Sequence, residues 1–241
     1  MLMTQNQKTL AEITAVPVPQ ATSTYRPIAN GTLVEMFAGE ISRVYNVDPD
    51  NLNMSFGLSK NDQQMFASIT VDDIWNEHFK SALTLVFRNS YDKSLSVLSG
   101  SGANSAICDN LQTWGDLVLM RKHTVNMFDD LRELVQRSVQ AAIHTFNHSM
   151  SFARTLEAQV ISADDSFRTV GLAMGHGVLK PQQATVALNE LKESSHEEFK
   201  EENVWSLYNH FTEALKRGPA GGAITRHDRA TQFFNQNFLT A

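Results

Sequence analysis

A single cysteine, Cys108, stands in a chain of 241 residues. That excludes a disulfide framework and any cysteine-clustered zinc site. Long apolar runs are also missing: none approaches the ~18 residues of a membrane-spanning helix, and no basic segment followed by an apolar one opens the chain. Charge of one sign is scarce as well, with 20 basic against 26 acidic side chains and a net of −6. Bulk attraction to duplex DNA is therefore not expected. Hydrophobic residues make up 42% and charged residues 19%, a balance that excludes wholesale disorder. The expectation is a soluble, intracellular protein whose core needs no metal or covalent staple.

The acidic excess is uneven. Residues 1–120 carry 7 basic and 12 acidic side chains, and residues 121–241 carry 13 and 14. Residues 1–24 are rich in Thr, Gln, Ala and Pro without a sustained apolar period, which predicts a mobile arm ahead of a single domain over residues 25–241. Thr32 and Glu35 have capping-box spacing, and Leu33, Phe37, Ile41 and Val44 share one helical face, with a stop near Asn46. Alternation at Leu52, Met54 and Phe56 then predicts a strand, followed by Met65 to Val71, Ser81 to Arg88, Ser94 to Leu98 and Ala103 to Cys108. The segment Ser99 to Ser105, with Gly100 and Gly102, reads as a wide, flexible turn between two strands.

From Thr124 the period is helical. Met127, Leu131, Leu134, Ser138, Ala142 and Phe146 form one stripe. Ser162 with Asp165 caps a short helix ended by Gly175 and Gly177, Pro181 opens the next, and residues 203–216 form another. Thr225 and Asp228 have the spacing to cap a final helix. The order of helix, antiparallel strands and helices predicts an α+β fold: an N-terminal helix, a central antiparallel sheet and C-terminal helices packed on it.

Candidate chemistry is sparse. Cys108 with His123 and Asp109 is the sole thiol–imidazole–acid grouping, and the strand position of Cys108 favours a structural role. His144 and His148 share a helix face, but Thr145 stands where a zincin needs glutamate. The run Glu190, Glu193, Glu197, Glu198, Glu201 and Glu202 reads as a solvated helix face. No catalytic residue, metal ligand or cofactor is assigned.

Four stretches form a joint pattern: Arg88 to Ser94 (RNSYDKS), Ile107 to Leu111 (ICDNL), Arg121 to Thr124 (RKHT) and Trp205 to Glu213 (WSLYNHFTE). Their order and spacing resemble the phage- and plasmid-borne family catalogued as domain of unknown function 932, over about Tyr25 to Phe238. The resemblance implies mobile-element biology in the cytoplasm of a bacterial host and supplies no catalytic residues. The element order is also similar to that of strand-annealing proteins. On this basis the expected function is non-enzymatic binding of single-stranded DNA, as an annealing or recombination accessory. Lys80, Arg88, Lys93, Arg121 and Lys122 would contact phosphates, and Tyr91 would be the stacking ring. The alternative is an acidic interaction protein that inhibits a host defence or replication complex, its partner a host or phage protein. No membrane partner is expected, and homo-oligomeric assembly is compatible with either reading.

Overall fold

The structure, a computed structural model, describes residues 7–105, 111–113, 119–124, 126–218 and 222–239. Period-two alternation builds its sheet. Strands β1 (Gln7–Lys8), β2 (Asn53–Ser59), β3 (Gln64–Asn76), β4 (Ser81–Ser90), β5 (Val97–Ser105) and β6 (Leu111–Thr113) lie in that order. A seventh strand, β7 (Leu119–Arg121), shares the outer edge of β5, and every pairing is antiparallel. Phe56 and Leu58 of β2, Met65, Ala67, Ile69 and Val71 of β3, and Leu83, Leu85 and Phe87 of β4 occupy one face and belong to the core, with Met54 of β2 half-buried against it. The opposite face carries Ser68, Thr70, Thr84, Val86 and Arg88, with Thr70 and Thr84 joined through their hydroxyls at 2.9 Å.

Helices close the first face. In α2 (Asn30–Tyr45), Leu33, Phe37 and Ile41 point inward, and Phe37 stacks on Phe87 with ring centres 4.2 Å apart. Helix α3 (Met127–Glu157) lies across β4 and β5 with the whole predicted stripe, Met127 to Phe146, buried. Helix α4 (Ala163–Gly175) packs on α5 (Pro181–Lys192), α5 on α6 (Val204–Leu215), and α6 on both α3 and α7 (Ala223–Phe234), while Asn235–Leu239 adds a π-helical turn. Tyr208, Phe211 and Phe234 pack edge to face at ring separations of 5.0 Å, welding α6 to α7. The fold is α+β.

Four sequence expectations need correction. Residues 7–16 are not a mobile arm: β1 pairs with β2, and Ile13 of α1 (Leu10–Ala15) is fully buried. Thr9 and Glu12 form a reciprocal capping box, with Glu12 N donating to Thr9 Oγ1 at 3.2 Å and Thr9 N to Glu12 Oε2 at 2.8 Å. A six-residue helix has too short a window for a visible period, and packing sustains it. Second, Gly100 and Gly102 lie inside β5, paired with Val86 and Thr84, so the expected turn is a strand. Third, α2 begins at Asn30, two residues before Thr32, with Ala29 in the cap position and no side-chain cap. Fourth, α7 starts after Gly222 without a side-chain cap, so Thr225 does not begin it. Two boundaries agree: Asn46 ends α2 at φ 56°, and Ser162 caps α4 by accepting from Asp165 N at 3.1 Å. By contrast β3 runs past Val71 to Asn76, and the expected strands Ser94 to Leu98 and Ala103 to Cys108 meet in the single strand β5, with residues 106–108 outside the described residues.

Candidate nucleic-acid interface

Antiparallel pairing decides which of the predicted cations meet. The β2–β3 turn, the β4–β5 turn and the end of β7 fall at the same end of the sheet, because Gln64 pairs with Ser90 and Val97 with Arg121. That end carries Lys60, Arg88, Lys93, Arg121 and Lys122. Arg26 joins them, since its amide donates to the His123 carbonyl at 3.3 Å. The acidic neighbours are Asp62 and Asp92, with Asp129 and Asp130 in the first turn of α3. Among the described residues named here, six basic side chains stand against four acidic ones, a local positive excess in an acidic chain.

Lys80 is elsewhere. It lies in the β3–β4 turn, eight residues back along β4 from Arg88, about 27 Å at the usual strand rise, and pairs with Glu77. It is not part of the cluster.

The turns are held firmly. Asp92 accepts from Ser90 Oγ at 2.5 Å, Ser94 Oγ at 2.6 Å, Ser94 N at 3.0 Å and Gln64 Nε2 at 3.1 Å. Partial burial works against ionisation, but the serine hydroxyls, the Ser94 amide and Gln64 outweigh it and hold the carboxyl down at about 2. Lys60 Nζ lies 3.9 Å from the same carboxylate, and Tyr91 N donates to Gln63 O at 2.7 Å, tying the two turns together. Lys60 and Lys93 adopt φ values of 51° and 60°, left-handed backbone that glycine or asparagine would occupy at lower cost. Lysines at those two positions sacrifice conformational ease and keep two charges at one end.

The individual side chains differ in availability. Arg26, Lys60, Lys93 and Lys122 are exposed. Arg121 is half-buried, and its Nη1 donates to the Met120 carbonyl at 3.0 Å. Arg88 is half-buried too, with Nε donating to Ser96 O at 3.3 Å, and burial pushes its guanidinium pKa down. The register puts Arg88 in a row with Leu98 and Met120, whereas Arg121 belongs to the Val97 row on the other face. What converges is thus an end of the sheet, not a groove along one of its faces.

Tyr91 is not the stacking ring. It is only 4% exposed, and its hydroxyl accepts from Asn30 N at 2.9 Å. Asn89 from the same sequence block donates from Nδ2 to Ile28 O and to Asn30 Oδ1, both at 2.8 Å. The two side chains bolt β4 to the start of α2. The residues that sequence reasoning missed are Arg26 and Lys60, whose placement depends on chain segments far apart in sequence. No local spacing signals either.

Cys108 and Asp109, candidates for thiol chemistry, lie outside the described residues, as does Asn110. His123 is buried, with neither ring nitrogen hydrogen-bonded among the described residues, and burial lowers its pKa. His144 and His148 are exposed on α3. Among the described residues no helix is long and apolar enough to cross a membrane. No family model matches the chain, and no curated protein or solved structure matches it.

Proposed function

We propose that the chain binds single-stranded nucleic acid through the basic end of its sheet, as a non-enzymatic annealing or recombination accessory. The observation that carries this reading is the meeting of Arg26, Lys60, Lys93, Arg121 and Lys122, from four separate segments, at one end of an otherwise acidic chain. Arg88, half-buried behind them, adds a sixth positive charge. Binding of this kind reads backbone charge and needs no catalytic group. The net charge of −6 opposes long-range attraction, so one copy binds weakly. Several copies on one strand would gain by multivalency. The phage or plasmid setting in a bacterial cytoplasm rests on the four sequence blocks alone.

The test is fluorescence anisotropy with a labelled single-stranded oligonucleotide and the matching duplex, across a salt series. The expected result is preference for the single strand, indifference to sequence and a steep loss of affinity with salt. No retention at low salt would reject this reading and leave the alternative, an acidic protein that inhibits a host defence or replication complex.

A further inference from the structure

Far from the basic end, a cavity of about 370 Å³ opens between the start of α4, the end of α5, residues 193–203 and the first two turns of α6. Its size is that of a small-molecule site. Glu190, read from the sequence as solvated, is buried here at 8% exposure. Both of its carboxylate oxygens accept, Oε1 from Ser195 Oγ at 2.5 Å and Oε2 from Ser195 N at 2.9 Å. Both donors are neutral, and among the described residues no lysine or arginine pairs with this carboxylate.

The nearest candidate is His210, at 5% exposure, whose Nδ1 stands 3.8 Å from Glu190 Oε2. That separation is too long for a hydrogen bond. Burial pushes the His210 imidazole below its ordinary range, with Glu190 opposing and His196 adding to the shift, so the ring is neutral at neutral pH. Ser206, one helical turn before His210, lines the same cavity at 2% exposure, and its hydroxyl has no hydrogen-bond partner among the described residues. Ser206 and His210 are therefore not hydrogen-bonded, and the couple that nucleophilic catalysis requires is not assembled. The rim carries Glu193, Glu201 and Glu202 against Lys192 and Lys200, and Lys200 is paired with Glu197.

We propose that this cavity binds a small organic primary ammonium, held by Glu190, His210 and Ser206. Three N–H donors on one cation match three acceptors: a carboxylate oxygen, the Nδ1 of a neutral imidazole protonated on Nε2, and an unpartnered hydroxyl. A nitrogen about 2.8–3.0 Å from both Glu190 Oε2 and His210 Nδ1 spans their separation. The same cation neutralises the buried carboxylate and complements the acidic rim. An organic cation fits better than a metal ion, because the described residues contain no cluster of three His, Cys, Asp or Glu side chains able to hold one. This site is independent of the nucleic-acid reading.

Calorimetry and thermal unfolding of the full chain test it, with methylammonium, ethanolamine and putrescine as probes, and tetramethylammonium and potassium as cationic controls without an N–H. At least one primary amine should bind one to one and raise Tm, while tetramethylammonium and potassium should not. Glu190→Gln should weaken that amine by tenfold or more. Because Glu190→Gln also disturbs Ser195, Ser206→Ala is the second variant. Its Tm without amine should match that of the parent, since the hydroxyl has no partner to lose, while affinity for the amine falls several-fold. Failure of every primary amine, an equal response to tetramethylammonium or potassium, or unchanged binding by Ser206→Ala would overturn the proposal.

Discussion

The ammonium of Lys93 sits 4.5 Å from the centre of the Tyr25 ring, joining the β4–β5 turn to the segment that leads into α2. Two opposing terms act on this lysine. Its φ of 60° costs about 1 kcal/mol that glycine would not incur, while the cation–π contact returns about 0.5–1 kcal/mol. Lys93→Gly should therefore change stability by less than about 1 kcal/mol in urea unfolding, yet weaken oligonucleotide binding. A large loss of stability would mean that Lys93 serves the turn and not the ligand.

Tyr91 gives the opposite pattern. Tyr91→Phe removes the acceptor of the Asn30 amide and leaves a buried N–H unsatisfied, costing about 1–3 kcal/mol. Denaturant midpoints should fall accordingly, with the salt slope of the folded protein unchanged. A selective loss of binding at unchanged stability would return Tyr91 to the interface.

Ile13 reports on the N-terminal strand and helix. Ile13→Ala should destabilise by about 2–5 kcal/mol, as truncation of a fully buried side chain does. Limited proteolysis of the parent should leave residues 7–16 attached to the core. Rapid trimming up to residue 24 would restore the mobile arm that composition predicts.

His227 sets part of the acid limb. Burial, reinforced by the charges of Arg226 and Lys216, pushes its imidazole down to about 3, and its Nδ1 has no hydrogen-bond partner among the described residues. The folded state thus holds fewer protons on this ring than the unfolded chain does. Its contribution is complete above about pH 6.5 and drains away as pH falls toward 3, by at most about 1.4 kcal/mol per pH unit. His227→Leu should flatten that limb in unfolding curves taken between pH 7 and pH 4. Parallel limbs for the parent and the variant would contradict the assignment.

Long periodic segments were legible from residues alone. The Met127 to Phe146 stripe carries its burial in its spacing. The alternation from Met54 to Arg88 marks the strands and their two faces but not their burial, since β3 from Gln64 to Val71 and β4 from Ser81 to Phe87 are buried at every position. Gly100 and Gly102 misled because glycine and serine are the residues of turns, whereas here they lie mid-strand, paired with Val86 and Thr84. Glu190 was illegible for a different reason: its neighbours in sequence are solvated glutamates, and only the return of α6 buries it beside His210. Much of the basic cluster could be read, because Arg88, Lys93, Arg121 and Lys122 fall within turns and strand ends. Their division between two faces, and the exclusion of Lys80, depend on register, which no single segment encodes.

The most direct measurement compares two variants by anisotropy with a single-stranded oligonucleotide over a salt series. Arg121→Ala combined with Lys122→Ala removes charge from the basic end, and Lys80→Ala removes it from the opposite end. The double substitution should weaken binding and flatten the log–log salt slope by about 0.7 for each phosphate that is no longer neutralised, while Lys80→Ala leaves both affinity and slope as in the parent. Equal effects of the two variants, or binding indifferent to the double substitution, would contradict the account.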